Sequence, residues 1–269
     1  MSDPGRQRLR LRFTKHGKVR FTSHRDVARM WERALRRSGL PLAWSEGFSP
    51  HLLLSFGLAL PTGCESDAEY LDAVLELPEA SEGPGPETTA PGRSPGELAT
   101  ELSALLPGGI DVTAAAWLAH GAVSLQQEVT SCSWELEVHG VTATDLGTRV
   151  ERLLDAPSVP IRRERKGRVV ADDLRPSVLA LTHVSPEAGS ADPETAGEPT
   201  RRLRADLSTQ PRGVRPAELL AGLGTGLELV RARRTHQWIE RDGARWEPLP
   251  LAGGGPAEAP AERAPERAS

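Results

Sequence analysis

The chain has 269 residues, 38% of them hydrophobic and 26% charged, with a formal net charge of −4. That is enough apolar content for one large or two small domains, with no run of eighteen apolar residues to cross a membrane. Two cysteines, Cys64 and Cys132, are too few for a disulfide framework or a zinc site, and the start MSDPGRQRLRLRF lacks the apolar stretch of a secretory signal. A cytoplasmic protein without membrane contact is expected.

From the N-terminus, Arg8–Thr14 alternates Leu9, Leu11 and Phe13 with Arg8, Arg10 and Arg12, the pattern of a half-buried strand. His16-Gly17 is expected to turn it into a hairpin return over Lys18–Thr22. A helix over 23–38 follows, with Ser23 as N-cap and Asp26 three residues on in a variant capping box. Val27, Met30, Trp31, Ala34 and Leu35 make its apolar face, Arg25, Arg29, Arg33, Arg36 and Arg37 take the remaining surface, and Gly39 and Pro41 stop it. Leu40–Ser45 and the more buried Leu52–Leu60 read as strands, as does Glu69–Leu77, whose Glu69 and Asp72 are expected to pair with Arg20 or Arg36. Ser94-Pro95-Gly96-Glu97 is a strong helix start, with a break at Pro107-Gly108-Gly109 and a strand over Ile110–Leu118.

The second half has a similar run of elements. It reads as strand Cys132–Val138, helix Thr142–Leu154, a hairpin over Val159–Val170 around Lys166-Gly167, strands Ser177–Val184 and Arg202–Ser208, a helix from Pro216 to about Leu223, and a final strand Leu227–Arg234. Glu101–Leu118 echoes Glu218–Ile239 as helix, glycine break, strand. Each half thus approximates β-α-β-β-α-β. The expected class is α+β, with tandem ferredoxin-like units and antiparallel sheets, one over 6–120 and one over 128–248.

Residues 80–97, 185–200 and 249–269 are rich in Pro, Gly, Ala and Glu and poor in branched and aromatic residues, so they are expected to be two disordered inserts and a disordered tail. Their acidic excess carries the negative net charge, and the rest of the chain is net positive. The first 51 residues hold twelve Lys/Arg against four Asp/Glu. A basic surface favours polyanions, nucleic acid first. Lys15, Lys18, Arg20, Arg25, Arg29, Arg33, Arg36 and Arg37 are the candidate nucleic-acid contacts, since arginine forks fit phosphate oxygens bidentately. Arg162, Arg163, Arg165, Lys166, Arg168, Arg201, Arg202 and Arg204 form a second basic set in the other half.

Beyond the helix, Ser45, Glu46, Gly47, Phe48, Pro50 and His51 crowd one loop. Gly47 and Pro50 shape a tight turn. His24 and His51 are the candidate catalytic residues, as general acid–base groups. Nothing in the sequence supplies a third partner or an oxyanion hole, and no metal is expected.

The pattern Lys15, Gly17, Arg20, Phe21, Ser23, His24, Asp26; Arg33, Ala34, Arg36, Arg37, Gly39, Leu40, Pro41; Ser45, Gly47, Phe48, Pro50, His51; Pro61, Gly63, Ser66, Glu69, Tyr70, Asp72 resembles a bacterial family of uncharacterised radical-SAM-linked proteins. The likeness is close over about the first eighty residues, with Arg162–Leu181 the clearest later part; Arg25 departs from it, where the family commonly has Leu. It implies a radical-SAM protein as partner and, from the ribonuclease and ribosomal-protein genes that neighbour such proteins, RNA or the ribosome. The chain has no cysteine triad for an iron–sulfur cluster, so it is not the radical enzyme and no cofactor is expected. The strand, capped helix and G-F-x-P-type loop are also similar to CRISPR repeat-processing endonucleases, which are tandem ferredoxin-like RNA-binding proteins. The expected function is an RNA- or ribosome-associated accessory protein. The alternatives are a metal-independent RNA endonuclease and a protein-interaction domain without nucleic acid.

Overall fold

The computed structural model describes residues 5–76, 93–119, 121–165, 167–184, 200–249 and 257–258. The chain is α+β, with antiparallel strands and five α-helices among the described residues. It divides into two compact units, Met1–Val129 with Trp246–Gly255, and Thr130–Arg245 with Pro256–Ser269.

Unit 1 runs β1 (Arg6–Lys15), a 3-10 turn (Gly17–Phe21), α1 (His24–Arg37), β2 (Leu54–Phe56), β3 (Glu65–Glu76), α2 (Pro95–Leu105), β4 (Val112–Trp117) and the single turn α3 (Leu125–Glu128). Its sheet order is β4-β1-β3-β2, and each neighbouring pair is antiparallel. The alternation of β1 sends Leu9, Leu11 and Phe13 into a core with Trp31 and Leu35 of α1 and Leu98 and Leu102 of α2. Phe13 meets Trp31 edge-on, with ring centroids 4.9 Å apart. Truncating Trp31 to Ala would cost about 3–5 kcal/mol by cavity formation.

The opposite face of β1 is buried as well. Arg10 grips Asp72 of β3 with two parallel hydrogen bonds of 2.8 and 2.9 Å. Arg12 donates to Tyr70 Oη at 3.3 Å and to Glu247 Oε1 at 3.1 Å. The returning segment 246–249 and α3 cover this face: Pro248 O accepts from Arg10, Glu128 lies 3.6 Å from the same guanidinium, and Leu249 packs against Ala68, Tyr70 and Leu125. The expected half-buried strand is therefore buried on both sides. Its arginines are tolerated inside because carboxylates and a phenol complete their hydrogen bonds.

Unit 2 runs β5 (Ser131–His139), α4 (Ala143–Asp155), the hairpin β6 (Pro160–Arg165) and β7 (Arg168–Asp173), a 3-10 turn (Arg175–Ser177), β8 (Val178–Val184), β9 (Arg201–Ser208), α5 (Pro216–Leu223), β10 (Glu228–Arg241), β11 (Ala244–Trp246) and β12 (Ala257–Glu258). Its order is β10-β5-β9-β8, again antiparallel throughout. Trp134, Leu136 and Val138 of β5 are buried, as are Leu146, Val150 and Leu153 of α4. Gly140, at φ +81°, sits where a Cβ would collide with the carbonyl oxygen of Gly226, so the turn into α4 needs glycine.

Several expectations are corrected. Lys18–Thr22 is no hairpin return: Gly17 adopts φ +64° and the chain winds into a 3-10 turn that Thr22 closes onto Val19 O. Leu40–Ser45 and Leu52–Leu60 shrink to β2 and two isolated bridges, Leu42↔Leu75 and Trp44↔Leu52: only Leu54–Phe56 keeps a continuous pairing with β3, while Trp44 pairs across the stem of its own loop. Asp72 pairs with Arg10 and Arg8, its cross-strand neighbours, instead of Arg20 or Arg36. The last long strand continues to Arg241, well past Arg234. Of the segments expected to be disordered, 93–97 forms the capped start of α2. Apart from 200, 249 and 257–258, the rest of them lies outside the described residues.

Candidate nucleic-acid interface

Helix α1 begins as its sequence dictates. Ser23 Oγ accepts from the Asp26 amide at 3.2 Å and donates to Asp26 Oδ2 at 2.7 Å, which satisfies an otherwise orphaned N-terminal donor. The Ser23 hydrogen bond, more than the nearby arginines, holds the Asp26 carboxyl below its usual range. Val27, Trp31, Ala34 and Leu35 face the core, which leaves Arg25, Arg29, Arg33, Arg36 and Arg37 exposed. Arg29 reaches Asp26 at 3.5 Å and Arg36 reaches Glu32 at 3.8 Å. Both contacts are solvent-exposed ion pairs of little energetic weight, so they are easily exchanged for another anion.

Arg33, Arg36 and Arg37 line an open groove between α1 and the end of α2, floored by Met30, Leu105, Leu106 and Pro107. Arg36 also lies over the ring of Trp44, its guanidinium carbon 5.1 Å from the centroid. This contact ties the basic helix to the loop 45–51. Trp44 pairs with Leu52 across the stem, Ser45 N donates to His51 O at 2.8 Å, and Ala43 N bonds Val74 O of β3 at 2.9 Å. The stem is thus anchored on the sheet, while Glu46, Gly47, Phe48 and Pro50 stand in solvent. Gly47 takes φ +113° at the turn, and Phe48 is fully exposed. An aromatic ring held clear of the protein on a braced loop beside arginines has the elements of a base-stacking site.

The remaining expected residues separate. Lys18 is exposed on the 3-10 turn. Arg20 is half-buried, 3.3 Å from Glu65 and stacked over the exposed Phe21 ring at 4.7 Å. Lys15 does not join the surface: the bulge after Phe13 turns it inward, and its ammonium donates to Thr22 O at 3.0 Å.

The two histidines have different partners. His24 packs edge-on against Phe56, with centroids 5.0 Å apart. His51 Nδ1 lies 2.8 Å from Ser45 Oγ, which also accepts the His51 amide at 3.1 Å. The Ser45 hydroxyl is therefore engaged in closing the loop. Among the described residues there is no cluster of three His, Cys, Asp or Glu that could hold a metal ion. No helix among them is long and apolar enough to cross a membrane.

Trp44 carries no motif of its own. Its signal is position, at the edge of the crowded loop and within reach of an arginine one helix away.

A family model described as an uncharacterized protein conserved in bacteria, DUF2344, matches residues 8–210. The chain belongs to this family. The DUF2344 match contains all of α1, the loop 45–51 and every strand from β2 to β9. No curated protein matches the chain. Among solved structures, a chain of a Cbf5-Nop10-Gar1 complex is similar at 10% identity and a TM-score of 0.43, over 85% of this chain and 48% of that one. The chain thus spans about half the length of that structural relative. A likeness of that size carries no argument about fold or function.

Proposed function

We propose that this DUF2344 protein is an RNA-binding accessory protein that uses α1 and the loop 45–51 to hold a structured RNA or a ribosomal site for a radical-SAM partner enzyme. One observation carries the reading: the Arg36–Trp44 contact joins a groove lined by Arg33, Arg36 and Arg37 to a braced loop with a fully exposed Phe48. Arginines supply phosphate contacts and exposed rings supply stacking, the two terms that RNA binding needs. The radical-SAM partner rests on the resemblance of the Lys15–Asp72 signature.

In this reading each unit is a ferredoxin-like β-α-β-β-α-β unit. The strand orders β4-β1-β3-β2 and β10-β5-β9-β8 support it, since both put the first and third strands of a unit side by side with the fourth outside the first. The β6–β7 hairpin is then an insertion between the first helix and second strand of unit 2.

Ultraviolet crosslinking of the protein in cells, followed by recovery of bound RNA, tests the proposal. RNA is expected above background and is expected to be lost on Arg29→Glu, Arg33→Glu and Arg36→Glu together. Recovery of none would overturn the reading.

A further inference from the structure

The sheet of unit 2 has a second face that no helix among the described residues covers. On β5, Trp134, Leu136 and Val138 are buried, so Ser133, Glu135 and Glu137 point the other way. The register then assembles three rungs across the sheet. The first is Arg231–Glu137–Arg202–Val184, the second Arg233–Glu135–Arg204–Thr182, and the third His236–Ser133–Asp206–Ala180. Each of the first two places two arginines beside one glutamate. Successive rungs are about 6.6 Å apart along the strands.

These side chains reach solvent. Arg202 and Arg204 are 71% and 65% exposed in their side chains, with Glu137 at 3.9 Å and Glu135 at 3.3 Å. Arg233 hydrogen-bonds the other oxygen of Glu135. Glu135 therefore holds Arg204 and Arg233 on its two oxygens, and the Arg202 and Arg204 side chains stay largely in solvent. Two hollows open on this face and share Glu135 and Arg204; the larger, of 490 Å³, extends over Ser133, Thr182 and His236 to Trp238.

At that end the rings are already stacked. Arg245 lies 4.4 Å over Trp238, and His236 lies parallel to Trp238 on a 4.8 Å centroid spacing, at an interplanar angle of 10°. Trp238 Nε1 donates to Ser133 Oγ at 2.7 Å, and Arg245 donates to Asp206 at 2.8 Å, which locks the lower layers. Trp238 is buried and His236 is half-buried, so His236 is the layer that remains accessible.

We infer that this face binds a short single-stranded segment of RNA, with phosphates on Arg202 and Arg204 and a base stacked on His236. The two exposed guanidinium groups, about 6.6 Å apart and only loosely held by their glutamates, suit successive phosphates, and the ring stack beside them selects a polyanion with exposed bases, which a duplex does not present. The inference shares its ligand class with the proposed function but uses a different surface, in the other unit.

The test is fluorescence anisotropy of a labelled mixed-sequence RNA heptamer with the full chain, over a salt series. Arg202→Gln with Arg204→Gln is expected to weaken binding at least fivefold and to lower the salt slope by about 1.4, since each phosphate bound on a single strand contributes about 0.7. His236→Ala is expected to weaken binding about tenfold with an unchanged slope, and His236→Phe to restore it, because stacking needs a ring and releases no counterion. Exposed arginines are replaced so that folding is preserved, which circular dichroism checks. Arg33→Glu with Arg36→Glu, made in parallel, separates the two surfaces. If that variant alone loses binding while the Arg202/Arg204 and His236 variants match wild type, the inference on unit 2 is overturned and the proposed function stands. If the unit 2 variants lose binding and the α1 variant does not, the inference stands, and the structured-RNA and crosslinking measurements decide the α1 site separately. Failure of the wild-type chain to bind the heptamer overturns the inference.

Discussion

The guanidinium of Arg36 lies 5.1 Å from the ring centroid of Trp44, so the last turn of α1 and the stem of the loop 45–51 form one surface. Trp44 is 40% exposed, and its ring has a second use in presenting Arg36 toward the groove. A cation over an exposed ring is worth about 0.5–1 kcal/mol, so the contact positions Arg36 more than it stabilises the fold. Trp44→Ala is expected to weaken RNA binding about fivefold or more while shifting thermal unfolding by only a few degrees. Anisotropy and a melting curve on the same sample check both halves.

Phe48 makes the sharper dissection. A fully exposed side chain contributes nothing to the core, so Phe48→Ala should leave stability within about 0.5 kcal/mol of wild type. If the ring stacks on a base, the same change raises the dissociation constant for RNA about tenfold. Unchanged affinity would remove Phe48 from the interface.

Asp72 is predicted to behave in the opposite way. It is buried, holds Arg10 through two hydrogen bonds and lies 3.8 Å from Arg8. Asp72→Ala would strand buried guanidinium charge and cost about 3–5 kcal/mol. Urea unfolding should show a markedly lower midpoint, and a midpoint like that of wild type would mean the arginine face of β1 is wetter than its geometry implies.

Tyr70 links stability to alkaline pH. Burial, then the nearby Glu247 carboxylate, raise its phenol pKa, and the opposing effect of Arg12 does not cancel them. The shift is upward, so the neutral phenol's contribution is complete below the ordinary tyrosine pKa of about 10 and is lost as pH rises beyond it, where the unfolded chain ionises first. Tyr70 is the sole tyrosine, so tyrosinate absorbance in the near ultraviolet reports it alone. Its ionisation should appear only together with unfolding. Titration at an ordinary pKa in the folded protein would contradict the buried network.

Local signals were the legible part of the sequence. The cap and apolar face of α1, the Ser94–Glu97 start of α2 and the β6–β7 hairpin depend on neighbours within a few residues, and the structure has them. The inward burial of Arg10 and Arg12 was not legible, because their partners Asp72, Tyr70 and Glu247 come from distant parts of the chain. The same holds for the site. The arginines of α1 were visible as a stripe, whereas the approach to Trp44 and the inward turn of Lys15 depend on how β3 and the bulge of β1 place them. In unit 2, Arg202 and Arg204 were legible as members of a basic set, but their register with Glu137 and Glu135 and the bulge between Arg234 and His236 that keeps His236 on that face have no local sign.

The central claim is that α1 and the loop 45–51 bind RNA through charge, and the salt dependence of affinity tests it most directly. Anisotropy of a labelled structured RNA should be measured across a salt series for wild type and for Arg33→Gln, Arg36→Gln and Arg37→Gln together. The account predicts a steep wild-type slope that falls by about 2 in the triple variant, at about 0.7–0.9 for each phosphate the variant no longer binds, with affinity reduced at every salt concentration. Equal slopes and equal affinities for the two proteins would contradict it.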